Sequence, residues 1–186
     1  MATPPVFTSA VLTSSQMNAI GLWRVLSQTI GSGVSSVVVP NAFSSDYESY
    51  RIMISGVTMS STTAGTVIYC KLHDGTNPAN TNYNDGFARI DIAATTVAGV
   101  TSNLGVNGVT IGRGVGDKWG TTFDIVMPAF ANHTIFPQLS AVNVSTGYMY
   151  IGAGMHQTST SYSAFQIAPS AGTLTGGVIR VYGYRS

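Results

Sequence analysis

The groups that could do chemistry are few. The chain has three histidines, His73, His133 and His156, seven carboxylates and a single cysteine, Cys70. The histidines are far apart and no two have the local spacing of a zinc site. His73-Asp74-Gly75 could orient an imidazole through the carboxylate, but Asp-Gly after an alternating run is first of all a turn that ends a strand. A serine nucleophile needs a shaped turn of the G-x-S-x-G kind, and the sequence has none. Gly112-Arg-Gly-Val-Gly116 has the glycine content of a phosphate cradle, yet it lacks the P-loop lysine and a helix to open, and reads as a flexible loop. Asp91 and Asp124 take outward positions in their runs. A glycosidase would need such a pair about 5 to 9 Å apart, and nothing in the sequence joins them. Asn80-Thr-Asn-Tyr-Asn-Asp-Gly86 alternates oxygen-bearing side chains before a glycine. It misses the EF-hand register and its closing glutamate, and reads as turns. Asn132-His-Thr134 and Asn143-Val-Ser145 match the glycosylation sequon, which matters only in a secreted eukaryotic protein. Cys70 sits in a strand-like run as a small apolar side chain. The expectation is no enzymatic activity, no metal and no cofactor.

The positive signal is aromatic. Tyr148 and Tyr150, and again Tyr182 and Tyr184, alternate with apolar residues and are expected on the outward face of their strands. Rigid amphipathic tyrosines suit a protein interface, or a platform on which a sugar ring stacks. The alternative is that these strands are central and covered on both faces.

The segments that position these residues divide the chain in two, residues 1–30 and 31–186. In the first, Pro4 and Pro5 keep the start extended. Thr13 and Gln16 have capping-box spacing, which predicts a short helix from about Ser14 to Leu26. Met17, Ile20, Trp23 and Leu26 fall along its apolar side, with Leu22 and Val25 widening it, so the helix needs cover from more than one direction. These four residues are the expected attachment and oligomer contacts. Gly31-Ser-Gly33 reads as a hinge, so that removing residues to Ile30 would leave the rest folded.

From there on the period is two. Tyr50, Ile52 and Ile54 share a face, as do Ile68, Cys70 and Leu72. Ile90 and Ile92 are read as inward against outward Arg89 and Asp91. Phe123, Ile125 and Met127 alternate with Asp124. Met149, Ile151 and Ala153 are read as inward, Phe165 and Ile167 flank Gln166, and Ile179 and Val181 alternate with Arg180. With Ser35–Val39 and Thr134–Val144 this makes eight or nine short strands between Gly, Asn, Ser and Pro turns. The fold class expected is all-β, an antiparallel two-sheet sandwich of jelly-roll kind preceded by the short helix.

Composition sets the context. Charged residues make up 8% of 186, and the formal net charge is +1, where an ordinary soluble domain has about 25% charged residues. That excludes a basic footprint for nucleic acid and a polybasic membrane patch. No apolar run is long enough to cross a bilayer. A surface of Ser, Thr, Asn and Gly with little charge repels its neighbours weakly, which favours lasting contact between copies.

Two segments resemble known proteins. Val11-Leu-Thr-Ser-Ser-Gln-Met-Asn-Ala-Ile-Gly-Leu-Trp23 resembles the leader of many bacteriophage virion proteins. Gly176-Gly-Val-Ile-Arg-Val-Tyr-Gly-Tyr-Arg185 is similar to the last strand of phage tail and fibre domains. Between them, residues 32–175 match in Ser/Thr/Asn/Gly style alone. The resemblance implies a structural virion component, commonly a homotrimer, assembled in the host cytoplasm and attached by its N-terminal segment to other virion proteins. Its β-domain would then be displayed on tail or capsid. A receptor-recognition module for a host surface glycan is the second expectation.

Overall fold

The computed structural model describes residues 22–63, 66–92, 94, 96–114, 116, 118–143 and 147–184. Among these there is no helix. In chain order the strands are β1 (Leu22–Thr29), β2 (Val37–Val39), β3 (Ser49–Met59), β4 (Thr66–His73), β5 (Tyr83–Asp91), β6 (Thr96–Val106), β7 (Val109–Gly114), β8 (Lys118–Val126), β9 (Thr134–Asn143), β10 (Tyr148–His156), β11 (Ala164–Pro169), β12 (Leu174–Thr175) and β13 (Val178–Tyr184). They form two sheets. The larger runs β1-β13-β3-β8-β9-β10-β5-β6, with β12 added to the end of β3; the smaller runs β2-β11-β4-β7. Every pairing is antiparallel.

Side chains at every second position of both sheets meet in one core. The larger sheet contributes Tyr50, Ile52 and Ile54 from β3, Trp119, Phe123 and Ile125 from β8, and Ile179 and Val181 from β13. The smaller contributes Val37, Val39, Ile68, Cys70, Leu72, Val109, Ile111, Phe165 and Ile167. The two-residue alternation thus places the inward face of β3, β4, β8, β11 and β13 as the sequence predicts. Polar bridges tie the sheets across this core. Leu72 N donates to Tyr83 Oη at 2.7 Å, and Thr110 N donates to Asp85 Oδ2 at 2.6 Å. Buried donors and acceptors must be paired in this way, because an unpaired one costs about 1–3 kcal/mol.

Four expectations change. The helix predicted over Ser14–Leu26 gives way to strand from Leu22 on; its first part, with Met17 and Ile20, lies outside the described residues. Leu22–Thr29 instead pairs with β13, Leu22 opposite Tyr184 and Thr29 opposite Val178. Trp23 and Val25 suit a pleated edge as well as a helix, and docking on a sheet outweighs a weak helical preference. The Gly31–Gly33 hinge is pinned down. Ile30 N donates to Gly177 O, Gly176 N to Gly31 O, and Gly33 N to Thr175 Oγ1, while Ile30 itself is in the core. Gly112-Arg-Gly, expected in a loop, lies within β7. There Gly112 is needed for close approach, since a Cβ on it would sit 2.1 Å from Trp119 Nε1.

The fourth change is one of phase. On β10 it is Tyr150 that is buried, and Ile151 and Met155 that are exposed, by 45% and 46%; on β5 Phe87 is buried, and Ile92, just past its end, is 54% exposed. The two strands are paired, with Tyr150 opposite Arg89 and Ile151 opposite Ala88. Both therefore carry aromatic and polar residues inward and Ile, Ala and Met outward, the reverse of the expected assignment.

Candidate functional site

The smaller sheet does not cover the whole inner side of the larger one. At a strand spacing of about 4.8 Å, eight strands in a row span about 34 Å and four span about 14 Å. Past the β7 edge, on β5, β10 and β9, a second and smaller cluster forms from Phe87, Tyr150 and Ala141 with Tyr148 packed against it. Arg113 reaches it from β7, with its Cζ 4.7 Å from the centroid of the Phe87 ring. Arg89 lies with its Cζ 4.5 Å from the Tyr148 centroid. The Phe87 and Tyr150 rings meet edge to face at 6.1 Å, and Tyr148 and Tyr150 at 6.4 Å. Guanidinium stacking on aromatic faces is favourable by about 0.5–2 kcal/mol and leaves the in-plane N–H groups unused by the ring. Burial raises the pKa of the Tyr150 hydroxyl, while Arg113 and then Arg89 pull it back. The Nε of Arg89 is buried with no hydrogen-bond partner among the described residues.

Tyr182 and Tyr184 stand elsewhere. They occupy the outer face of β13, half-buried, with Tyr182 opposite Arg51. Arg51 is held by Asp124 through Nε–Oδ1 at 2.8 Å and Nη2–Oδ2 at 2.9 Å, and its Cζ is 5.8 Å from the Tyr184 centroid. This fork pairing raises the Arg51 pKa further above its ordinary range. The four tyrosines thus form two pairs on opposite faces of one sheet, not one platform. Trp23 and Leu26 lie on the core-facing side of β1, opposite Gly183 and Val181, and Leu26 packs on the main core.

The catalytic candidates separate. Asp124 is on the outer face of β8. Asp91 is directly across from Tyr148 on the inner side of β5, three strands away in the order β8-β9-β10-β5. That separation is about 14 Å in the plane of the sheet, beyond the reach of a glycosidase pair. His73 Nδ1 accepts from Gly75 N at 3.0 Å, and Asp74 Oδ1 accepts from Thr76 N and Asn77 N at 2.7 Å, which is the predicted turn. His156 is buried between two rings, its centroid 4.4 Å from Tyr83 and 5.4 Å from Tyr162. Desolvation lowers its pKa below the ordinary histidine value. Burial raises the Cys70 thiol well above its ordinary range. Among the described residues no three His, Cys, Asp or Glu side chains are placed to hold a metal ion. No helix among them is long and apolar enough to cross a membrane.

The outer face of the larger sheet is the other notable surface. Met53, Ile135, Val142, Ile151 and Met155 project from it, each at least 40% exposed. A depression of about 450 Å³ lies between Ile135, Pro137, Ala153 and Met155, and one of about 320 Å³ between Met53, Ser55, Thr122, Val142 and Arg180. Sequence alternation finds these positions but assigns them the wrong side on β10.

No family model matches the chain, and no curated protein does. Solved structures give faint likenesses. One is a β-fructofuranosidase from Schwanniomyces occidentalis, 7% identical, with a TM-score of 0.25, covering 89% of this chain and 34% of that one. Another is a scytalido-glutamic peptidase, 11% identical, TM-score 0.27, covering 80% and 64%. A third is the alginate lyase AlgAT5 of polysaccharide lyase family 7, 11% identical, TM-score 0.26, covering 84% and 60%. The chain thus spans about a third of the first and less than two thirds of the others. Likeness at this level carries no argument about activity.

Proposed function

We propose that this chain is a non-enzymatic structural component of a bacteriophage particle, present in several copies and displaying a jelly-roll-like sandwich. The observation that carries the reading is the outer face of the larger sheet. Scattered apolar residues are ordinary on a monomer, but a contiguous apolar face is the usual mark of a protein contact. Here Ile135 and Val142 on β9 and Ile151 and Met155 on the adjacent β10 stand exposed, with a depression between Ile135, Pro137, Ala153 and Met155. A chain with 8% charged residues has little repulsion to keep such faces apart. The occupant proposed is a second copy, with a homotrimer as the expected assembly, and the N-terminal segment joins it to other virion proteins. The phage-like phrases at the two ends of the chain supply the particle. Light scattering on the full chain at micromolar concentration tests the assembly: a stable oligomer is expected, and Ile151→Glu shifts it toward monomer. A wild-type monomer overturns this reading. Mass spectrometry of purified phage particles tests the location, since a virion component remains bound at fixed copy number.

A second reading, recognition of a host surface glycan, is favoured by the stacked arginines and tyrosines past the β7 edge. It does not compete with the first, because it uses the opposite face of the same sheet.

A further inference from the structure

We propose that a groove on the outer face of the larger sheet, running between β8 and β9 from Gly120 to Asp124, is a binding site for a neutral saccharide. This rests on the glycan-recognition reading for its ligand class, but it uses other residues than the rim and the opposite face of the sheet. The groove follows from side-chain size. Cross-strand partners on this face run Arg180, Met53, Thr122, Ser140, Ile151 over β13, β3, β8, β9 and β10. Met53 and Ile151 are 40% and 45% exposed, and the short Thr122 and Ser140 form a floor between them. Two depressions, of about 320 and about 130 Å³, share these two floor residues. Four steps along β8 at about 3.4 Å each make the groove about 14 Å long.

One end of the groove holds the Arg51–Asp124 pair, joined through Nε–Oδ1 and Nη2–Oδ2, with side chains 37% and 17% exposed. That pairing spends two donors of Arg51 and one lone pair on each oxygen of Asp124. Arg51 Nη1 and the second lone pairs remain, side by side in a plane fixed in advance. A sugar hydroxyl both donates and accepts, so neighbouring hydroxyls match such an edge. Gln138 joins the pair because β9 bulges here: Phe136, Pro137 and Gln138 stand against Asp124 and Ile125 alone, and a bulge re-aims the side chains it carries. Gln138 lines the same depression as Arg51 and Asp124. Beyond the pair, half-buried Tyr182 stands opposite Arg51 on β13, where the C–H face of a pyranose can pack on its ring. Asp124 disfavours a carboxylate or phosphate beside it. An extended peptide gains nothing here, because these strands are central and their backbone groups are already spent in the sheet.

The experiment is calorimetric titration of the full chain with maltohexaose, cellohexaose, mannohexaose and chitohexaose, and with a galacturonic-acid hexamer as the acidic contrast. Binding of at least one neutral hexaose is expected, at an affinity that holds between about 0.05 and about 0.5 M NaCl because the ligand forms no ion pair. Asp124→Asn should weaken it at least about tenfold, the scale of a lost charge-assisted hydrogen bond. Ser140→Tyr, which fills the groove floor and keeps both members of the Arg51–Asp124 pair, should abolish it. Both variants are first checked for wild-type oligomer mass and cooperative melting, and should Asp124→Asn fail to fold, Ser140→Tyr decides. Neutral binding that Ser140→Tyr leaves unchanged overturns the groove while glycan recognition stands elsewhere on the chain. Tighter binding of the acidic hexamer, or affinity that falls as salt rises, overturns the neutral class. If no hexaose binds at millimolar concentration, the groove and the glycan reading fail together.

Discussion

Replacing Gly112 by alanine tests the packing between the two sheets at its tightest point. A Cβ there would lie 2.1 Å from Trp119 Nε1, 2.7 Å from Cε2 and 2.9 Å from Cζ2. Trp119 is 2% exposed and belongs to the main core, so the indole has nowhere to retreat. Moving it off its rotamer costs about 0.5–1.5 kcal/mol, and forcing a methyl into a filled core costs about 1–3 kcal/mol. Alanine recovers about 0.5–1 kcal/mol because it restricts the unfolded chain more than glycine does. The expected net loss is about 2–3 kcal/mol. For a chain of this size that lowers Tm by roughly 5–10 °C, at about 2–4 °C per kcal/mol. Gly33→Ala is the control: its φ is +64° but nothing lies within 4 Å of the added Cβ, so only the backbone penalty of about 1–2 kcal/mol remains. A double variant with Trp119→Phe removes the atom in conflict, and its loss of stability should be smaller than the sum of the two single losses. Thermal unfolding by circular dichroism reads all four. A Gly112→Ala protein melting within about 1 °C of wild type would refute the contact, and strict additivity would show that the two residues do not touch.

Two further outcomes follow from burial. His156 is neutral in the fold because desolvation lowers its pKa. Its contribution is therefore complete above the unfolded value of about 6.5 and is lost as pH falls below it, when the unfolded chain takes the proton first. Tm should be flat from pH 8 to about 6.5 and decline below that, and His156→Gln should flatten the decline; an identical profile in the variant would refute the assignment. Removing residues through Ile30 should melt well below removal through Gly21, by about 10 °C or more. The longer deletion takes away β1 with its β13 pairing and buried Ile30, and loss of one buried isoleucine side chain alone costs about 2–5 kcal/mol. Equal melting of the two would make β1 dispensable to the sheet.

The parts of the fold legible in the sequence are those where only one face of a strand is apolar. Ile52 and Ile54 flank polar or charged neighbours in Arg51 and Ser55, and Phe123 and Ile125 flank Asp124, so alternation gives both the period and its sign. β10 is different. Its inward set is Tyr148 and Tyr150, and its outward set is Met149, Ile151 and Ala153; both are apolar enough to fill a core. Alternation then fixes the two sets without saying which is covered. Ordinary hydropathy places Ile and Met inside, and the rule fails because the smaller sheet ends near this point and the outer face carries the aliphatic residues instead. The strand β1 was hidden for a related reason. Leu22-Trp-Arg-Val-Leu26 supports a helical face and a pleated edge alike, and only the partner β13, some 150 residues later, selects between them.

The arginine–tyrosine rim could not be found from spacing at all. Arg89, Arg113 and Tyr150 lie on β5, β7 and β10, and they meet because β5 pairs with β10 while β7 crosses from the other sheet. No local motif encodes that meeting. What the sequence does contain is its consequence: in a chain with only eight basic residues, two are set on the inner side of the sandwich, where desolvation is costly. Charges kept in such a place must be stabilised by what surrounds them. The rings of Tyr148 and Phe87 do part of this by stacking. On the outer side of the larger sheet Arg51 is locked to Asp124 while Ile135, Val142, Ile151 and Met155 stand exposed, and that apolar surface suits lasting contact with copies of itself. Its inner rim carries Arg89 and Arg113 against aromatic rings, with Asp91 on the same side of β5.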